Sequence, residues 1–269
     1  MNSRKRVCLL TGASGVLGAA FCRRYADRYD IVAVYRRNLP AVPSQELRYV
    51  DPLAPGATLQ ENRHPVFAVR ADLAEDREIG RVVELALARF GRIDLLVNAA
   101  VHSIWAPLFD SRRVADSATA QFQLNVLVPL RLTLETVQAY WRDRVDENRR
   151  MNRNVVNVSS LAGVNVYRNQ GQSVYAASKA ALNHLTRHMA GELESIGVRA
   201  NALAPNSFPR IVPTERVVEG IARLDEGSET GQVLCLDKEP GNRSAVTTSG
   251  EPHRQSVPAP PSSGGAARG

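Results

Sequence analysis

Short β-branched runs alternate with long amphipathic segments through the first two-thirds of this chain. Runs without polar alternation suit strands covered on both faces, and two of them joined by a helix-length segment lie parallel. The predicted strands are 6–10, 31–35, 66–69, 93–98, 155–159, 198–203 and 232–236. Between the third and fourth, Ile79, Val82, Val83, Ala86, Leu87 and Phe90 follow helical spacing and stop at Gly91. Leu182, Leu185, Met189, Leu193 and Ile196 repeat that rhythm ahead of Gly197. Right-handed crossovers then place helices on both faces of one parallel α/β sheet, doubly wound and about seven strands wide.

The chain's 269 residues, 44% of them hydrophobic, suffice for one substantial core, expected over residues 1–237. Two stretches break the pattern. Residues 36–65 hold five prolines and little helical period, an irregular excursion where a crossover helix belongs. Residues 238–269 are rich in Pro, Gly, Ser and Thr; with almost no large apolar side chain they cannot offset the entropy of ordering, so a disordered tail is expected. The apolar run 7–10 is too short for a secretion signal, and no stretch is long enough to span a bilayer, so no membrane partner is expected. Cys8, Cys22 and Cys235, odd in number and set in apolar contexts, read as buried free thiols of a cytoplasmic protein. The formal charge of +7 comes from scattered arginines, 31 against three lysines, with no basic run longer than 4–6, so no nucleic-acid partner is expected.

Directly after the first strand comes Thr11-Gly12-Ala13-Ser14-Gly15-Val16-Leu17-Gly18, opening a helical run. Glycines here permit a tight turn, let backbone N–H groups approach a pyrophosphate, and let the helix pack closely on the strand. Further on stand Ser159-Ser160 after the fifth strand and Tyr175-Ala-Ala-Ser-Lys179. Tyrosine and lysine four apart share a helical face, so the ammonium is expected to draw the phenol down from its usual ~10 toward the working range of an acid/base. In a chain with three lysines, one at that position is not compositional noise. The second strand ends in Tyr35-Arg36-Arg37, where an NAD site would offer a carboxylate to the ribose; arginine instead receives a 2′-phosphate through forked hydrogen bonds, which favours NADP (NADPH) over NAD.

Across residues 5–237 these motifs resemble the short-chain dehydrogenase/reductase family, in its compact single-domain form with an atypical glycine motif. The resemblance implies a Rossmann-type fold and an NADPH-dependent oxidoreductase acting between a carbonyl and an alcohol. It implies catalytic roles for Asn125, Ser160, Tyr175 and Lys179: Tyr175 exchanges the proton, Ser160 holds the substrate oxygen, Lys179 orients the ribose, and Asn125 holds a water that links Lys179 to solvent. The implied cofactor contacts are Gly12, Ser14, Gly15, Gly18, Arg36, Arg37, Asp72, Leu73, Asn98, Ala100, Tyr175, Lys179, Pro205 and Phe208. It also implies a homodimer or homotetramer formed through the helices of Asn125 and Tyr175.

Val16 stands where that family usually has glycine, a spacing similar to the extended, epimerase-type branch. Epimerases and dehydratases of that branch need a C-terminal substrate domain for which this chain has no ordered length. A catalytically silent NADP-binding regulator is the alternative from another class, and the complete catalytic set argues against it. The short passage from Ala204 to a helix at 214–224 suggests a truncated lid over an open site for a sizeable or carrier-tethered carbonyl compound, walled by Val101, His102, Trp105, residues 164–172 and Phe208. His184 and His188 share a helix face, but with no third ligand in sight they read as exposed or interfacial rather than metal-binding.

Overall fold

The computed structural model describes residues 5–42 and 65–238. Most of the expected excursion at 36–65 and nearly all of the expected tail lie outside the described residues.

Seven parallel strands form one sheet in the order β3-β2-β1-β4-β5-β6-β7. They are β1 (Arg6–Thr11), β2 (Tyr29–Tyr35), β3 (Val66–Arg70), β4 (Leu95–Asn98), β5 (Asn154–Val158), β6 (Arg199–Pro205) and β7 (Val233–Leu236). The order runs outward in both directions from β1 and β4, which are paired Cys8 to Leu95 and Leu10 to Val97. Crossovers leave those two strands in opposite directions, so a crevice opens above their carboxyl ends, where such sheets bind ligands. The central strands are buried along almost their whole length because both faces are covered.

On one face, α1 (Val16–Tyr25) and α7 (Thr214–Glu226) pack Phe21, Tyr25, Val217 and Ile221 against Leu10, Tyr29 and Ile31. On the other, α2 (Asp76–Phe90), α4 (Val128–Thr136) and α6 (Ser173–Leu193) bury Val82, Val83, Leu132 and Met189 against Leu9, Leu96 and Val155. Each such side chain contributes roughly 1.5–3 kcal/mol by burial. The α2 pattern read from the sequence is the buried stripe observed, and Gly91 ends the helix at φ +73° with its N–H on the Leu87 carbonyl. Between β4 and β5 the chain runs through α3 (Ser111–Phe122), a π-helical turn at Gln123–Leu127, α4, and α5 (Val145–Arg150).

Two expectations change. β4 begins at Leu95 rather than at residue 93: its pairing with β1 starts at Cys8 opposite Leu95, and Asp94 just ahead of it is tied to Val7 through both its backbone N–H and its carboxylate. Cys8 and Cys22 are buried free thiols as expected, but Cys235 is exposed because β7 is an edge strand with one open face. His184 and His188 lie exposed with their Nε2 atoms 3.2 Å apart, and among the described residues no third ligand joins them. No described helix is long and apolar enough to cross a membrane.

Candidate active site

The crevice is built first from backbone. At the end of β1, the Thr11 hydroxyl accepts the N–H groups of Ala99 and Ala100, each at 3.0 Å, and clamps the loop after β4 beside the glycine turn. That approach requires glycine at position 12, which has φ +72° and whose added Cβ would lie 2.8 Å from Ala100 N. A Cβ on Gly18 would lie 2.5 Å from the Gly12 carbonyl oxygen, so α1 can seat against the turn only with glycine there. Gly15 caps α1, and Ser14 and Gly15 are exposed at its positive end. The first turn of α1 has no acidic residue, so its free N–H groups are left for an anion.

Next along the edge, Asn98 donates to Asn157 Oδ1 at 2.8 Å, and Asn157 donates to Thr186 on α6. The Asn98 Oδ1 atom is buried with no hydrogen-bond partner among the described residues, an acceptor left over beneath the crevice. Ala100 stands beside it with its backbone held by Thr11.

Asn125 sits fully buried in the π-helical turn. Its carboxamide accepts from His102 N and donates to His102 O, both at 2.9 Å, and donates to Ser178 Oγ, which in turn donates to the Tyr175 carbonyl. It ties the loop after β4 to the helix of Tyr175.

The two serines after β5 are distinguished by burial. Ser159 is buried and donates to the Lys179 carbonyl, whereas the Ser160 hydroxyl lies open beside Tyr175 and shares a hydrogen bond with it. Gly163 allows the short turn Leu161–Gly163 to rest on α6; a Cβ there would lie 2.5 Å from the Lys179 carbonyl carbon. Burial raises the Tyr175 phenol above its ordinary range, and Ser160 opposes that only in part. The sequence led us to expect the reverse, with Lys179 drawing the phenol down. Lys179 is 2% exposed and gives its ammonium to the Val158 carbonyl at 2.8 Å, 6.0 Å from the centre of the Tyr175 ring and beneath its face. Desolvation pushes Lys179 itself down to about 7.

At the far end of the crevice, a cavity of about 320 Å³ is lined by Arg36, Arg37, Arg70, Ala71, Asp72 and Glu78. Arg36 and Arg37 are both exposed there, so the two successive side chains are not divided between inside and outside. Arg70, absent from the sequence reading, is brought beside them because β3 pairs with β2 and sets Tyr35 opposite Arg70. The Arg70 Nε donates to the Arg36 carbonyl. Glu78 is neutralised by Arg81, and Asp72 accepts the Ala74 N–H. Leu73 points into the core, which leaves only its backbone for a ligand.

A second cavity, about 280 Å³, opens above Ser160 and Tyr175 and is walled by Trp105, Pro205, Phe208 and Ile211. The expected walls Val101 and His102 are not part of it: Val101 faces out and His102 is engaged with Asn125. Asn206, Ser207, Arg210 and Ile211, which the sequence reading passed over, line it instead. Together these features fit a nicotinamide dinucleotide: helix-end donors for the pyrophosphate, an orphaned acceptor at Asn98, and a proton-bearing phenol where the reacting ring would lie.

The sequence profile of the short chain dehydrogenase family matches residues 6–210. The 3-oxoacyl-(acyl-carrier-protein) reductase of Thermotoga maritima is 29% identical over 249 residues, 88% of this chain and 91% of its own length. The 1,6-dihydroxycyclohexa-2,4-diene-1-carboxylate dehydrogenase of Pseudomonas putida is 32% identical over 76% of this chain and 68% of its own. A short chain dehydrogenase structure from Leptospira borgpetersenii with bound NAD+ shares the fold at a TM-score of 0.70 and 19% identity, covering 87% of this chain and 92% of that one.

Proposed function

The chain belongs to the short-chain dehydrogenase/reductase family of oxidoreductases that use a nicotinamide cofactor, and from that premise we propose that it is an NADPH-dependent carbonyl reductase with Tyr175 as its general acid. One observation carries this reading: a phenol whose pKa is raised, hydrogen-bonded to Ser160, at the floor of a cavity of substrate size. A phenol held protonated suits donation to an oxygen that gains negative charge only as the reaction proceeds. Bound nicotinamide supplies the hydride that reaches the carbonyl carbon. Ser160 donates to the same oxygen and positions it within reach of Tyr175. Lys179, with two N–H groups left after its bond to Val158, holds the ribose, and its pKa near 7 lets it return a proton at neutral pH. Asn125 positions Tyr175 through Ser178.

The preference for NADPH is supported by three arginines, Arg36, Arg37 and Arg70, around one cavity with no carboxylate at the end of β2. Exposed Phe122, Leu127 and Leu134, on the helices around Asn125, support a homodimer or homotetramer joined there. Unpaired Cys8, Cys22 and Cys235 support a cytoplasmic location. The two named relatives act on unlike compounds, an acyl-carrier thioester and a diene carboxylate, so the substrate class has to be read from the pocket itself. The test is NADPH oxidation against ketones, aldehydes, oxo acids and acyl-carrier thioesters. Turnover of at least one class supports the reading, and tight NADPH binding with no turnover of any contradicts it.

A further inference from the structure

We propose that the substrate carries a carboxylate, and that Arg210 with Gln172 forms the subsite that receives it; this deepens the reductase reading above and rests on it. The cavity over Ser160 and Tyr175 is lined by serine, tyrosine, glutamine, asparagine and apolar residues, and Arg210 is the single charged side chain among them. No acid lines the cavity to neutralise that charge. Among the described residues Arg210 has no hydrogen-bond or ion-pair partner, unlike Arg24, Arg28 and Arg131, which are paired with Glu219, Glu226 and Asp76. Arg210 is exposed and shares this cavity with the apolar side chains of Trp105, Phe208 and Ile211.

Gln172 is the second, independent observation. It is 7% exposed and lines the same cavity, yet its carboxamide has no hydrogen-bond partner among the described residues. The carboxamide is therefore open to the cavity, with N–H donors available to a ligand oxygen. Both residues stand on shaped backbone. Ala106 N donates to the Gly171 carbonyl at 2.6 Å, and Gly171, at φ +61°, leaves no room for a Cβ against Ala106. Arg210 is carried on a turn closed by Ile211 N and Val212 N on the Ser207 carbonyl. The reaction remains a plain carbonyl reduction: hydride from NADPH forms the new C–H bond, the Tyr175 proton goes to the oxygen, and the carboxylate is untouched. Arg210 then fixes which end of the molecule lies away from Tyr175.

The competing anion is the cofactor pyrophosphate, and the two are separated by experiment. Steady-state NADPH oxidation is measured with short 2-, 3- and 4-oxo acids and their methyl esters, using wild type, Arg210→Ala and Gln172→Glu. The wild type is expected to prefer at least one acid over its ester, and Arg210→Ala to shrink that acid-to-ester ratio of kcat/KM by about 10- to 150-fold, mainly through KM. Gln172→Glu, which adds a negative charge, is expected to shrink it too. In parallel, calorimetry on NADPH-loaded Tyr175→Phe, with and without Arg210→Ala, reads acid and ester binding without turnover, so a failed reductase reading and a failed subsite give different results. An acid-to-ester ratio unchanged by Arg210→Ala in both assays overturns the proposal. So does a loss of NADPH affinity as large as the loss for the acids, which would assign Arg210 to the pyrophosphate.

Discussion

At the amino edge of the sheet, charged side chains are spent on one another; at the carboxyl edge, polar groups are kept in reserve. Arg6 meets the Asp225 carboxylate with two hydrogen bonds, at 3.0 and 2.8 Å, and Tyr29 donates to the same group. Arg199 adds bonds to Asn152, Leu224 and Asp225. Asp94, fully buried, faces Arg92 at 3.0 Å and Arg153 at 3.5 Å, both ion pairs without hydrogen-bond alignment. Across the sheet, Asn98 keeps a free acceptor, Gln172 an unbonded amide, Arg210 an unmatched charge and Lys179 a desolvated ammonium. One edge closes the fold and the other leaves partners open for a ligand, so substitutions at the two should separate stability from activity.

Tyr175→Phe, at the open edge, is expected to lower turnover by about 10²- to 10⁴-fold while keeping NADPH affinity, since it removes only the transferable proton. Stopped-flow oxidation and fluorescence titration read the two quantities; an unchanged kcat would break the assignment. Asp94→Ala, at the closed edge, is expected to cost about 3–5 kcal/mol in denaturant unfolding, because the buried Val7 N–H loses its acceptor and Arg92 loses its carboxylate, while Arg153 keeps only Glu147. Its folded fraction should keep wild-type KM for NADPH, and a selective loss of cofactor binding would erase the contrast. Arg36→Ala is expected to weaken NADPH binding about 10- to 150-fold and Arg70→Ala by about 10-fold or less, with NADH little affected in either. Equal losses for both cofactors would remove the arginines from the 2′-phosphate. Deleting residues 239–269 is expected to change melting temperature and activity least of all.

The reading of the sequence succeeded where the signal is local. Strand and helix periods, the Gly12 to Gly18 loop and the Tyr175–Lys179 spacing each depend on neighbours a few residues apart, and the seven-stranded parallel sheet they imply is the one observed. What it missed depends on distant partners. Arg70 reaches the arginine cavity only through β2–β3 register, and Gln172 and Arg210, 38 residues apart in the chain, line one cavity. The direction of Lys179 was misread for the same reason: the Val158 carbonyl that captures it lies 21 residues away and leaves no trace in a helical spacing rule. The start of β4 at Leu95 follows from its register with β1, Cys8 opposite Leu95, which no run of apolar residues records.

Lys179→Met tests most directly the claim that the carboxyl edge holds groups for catalysis at a cost to the fold. Desolvation lowers the folded pKa of Lys179 to about 7, below its unfolded value near ~10.4, so between those limits the unfolded chain binds the extra proton and wild-type stability rises with pH. The substitution removes that proton linkage. Melting temperatures of both proteins are compared from pH 6 to 10, with NADPH turnover measured alongside. The account predicts that turnover is lost while the variant melts higher than wild type, by most at and below pH 7 and by progressively less as pH rises. A variant that melts lower at every pH, or one that keeps its turnover, would contradict it.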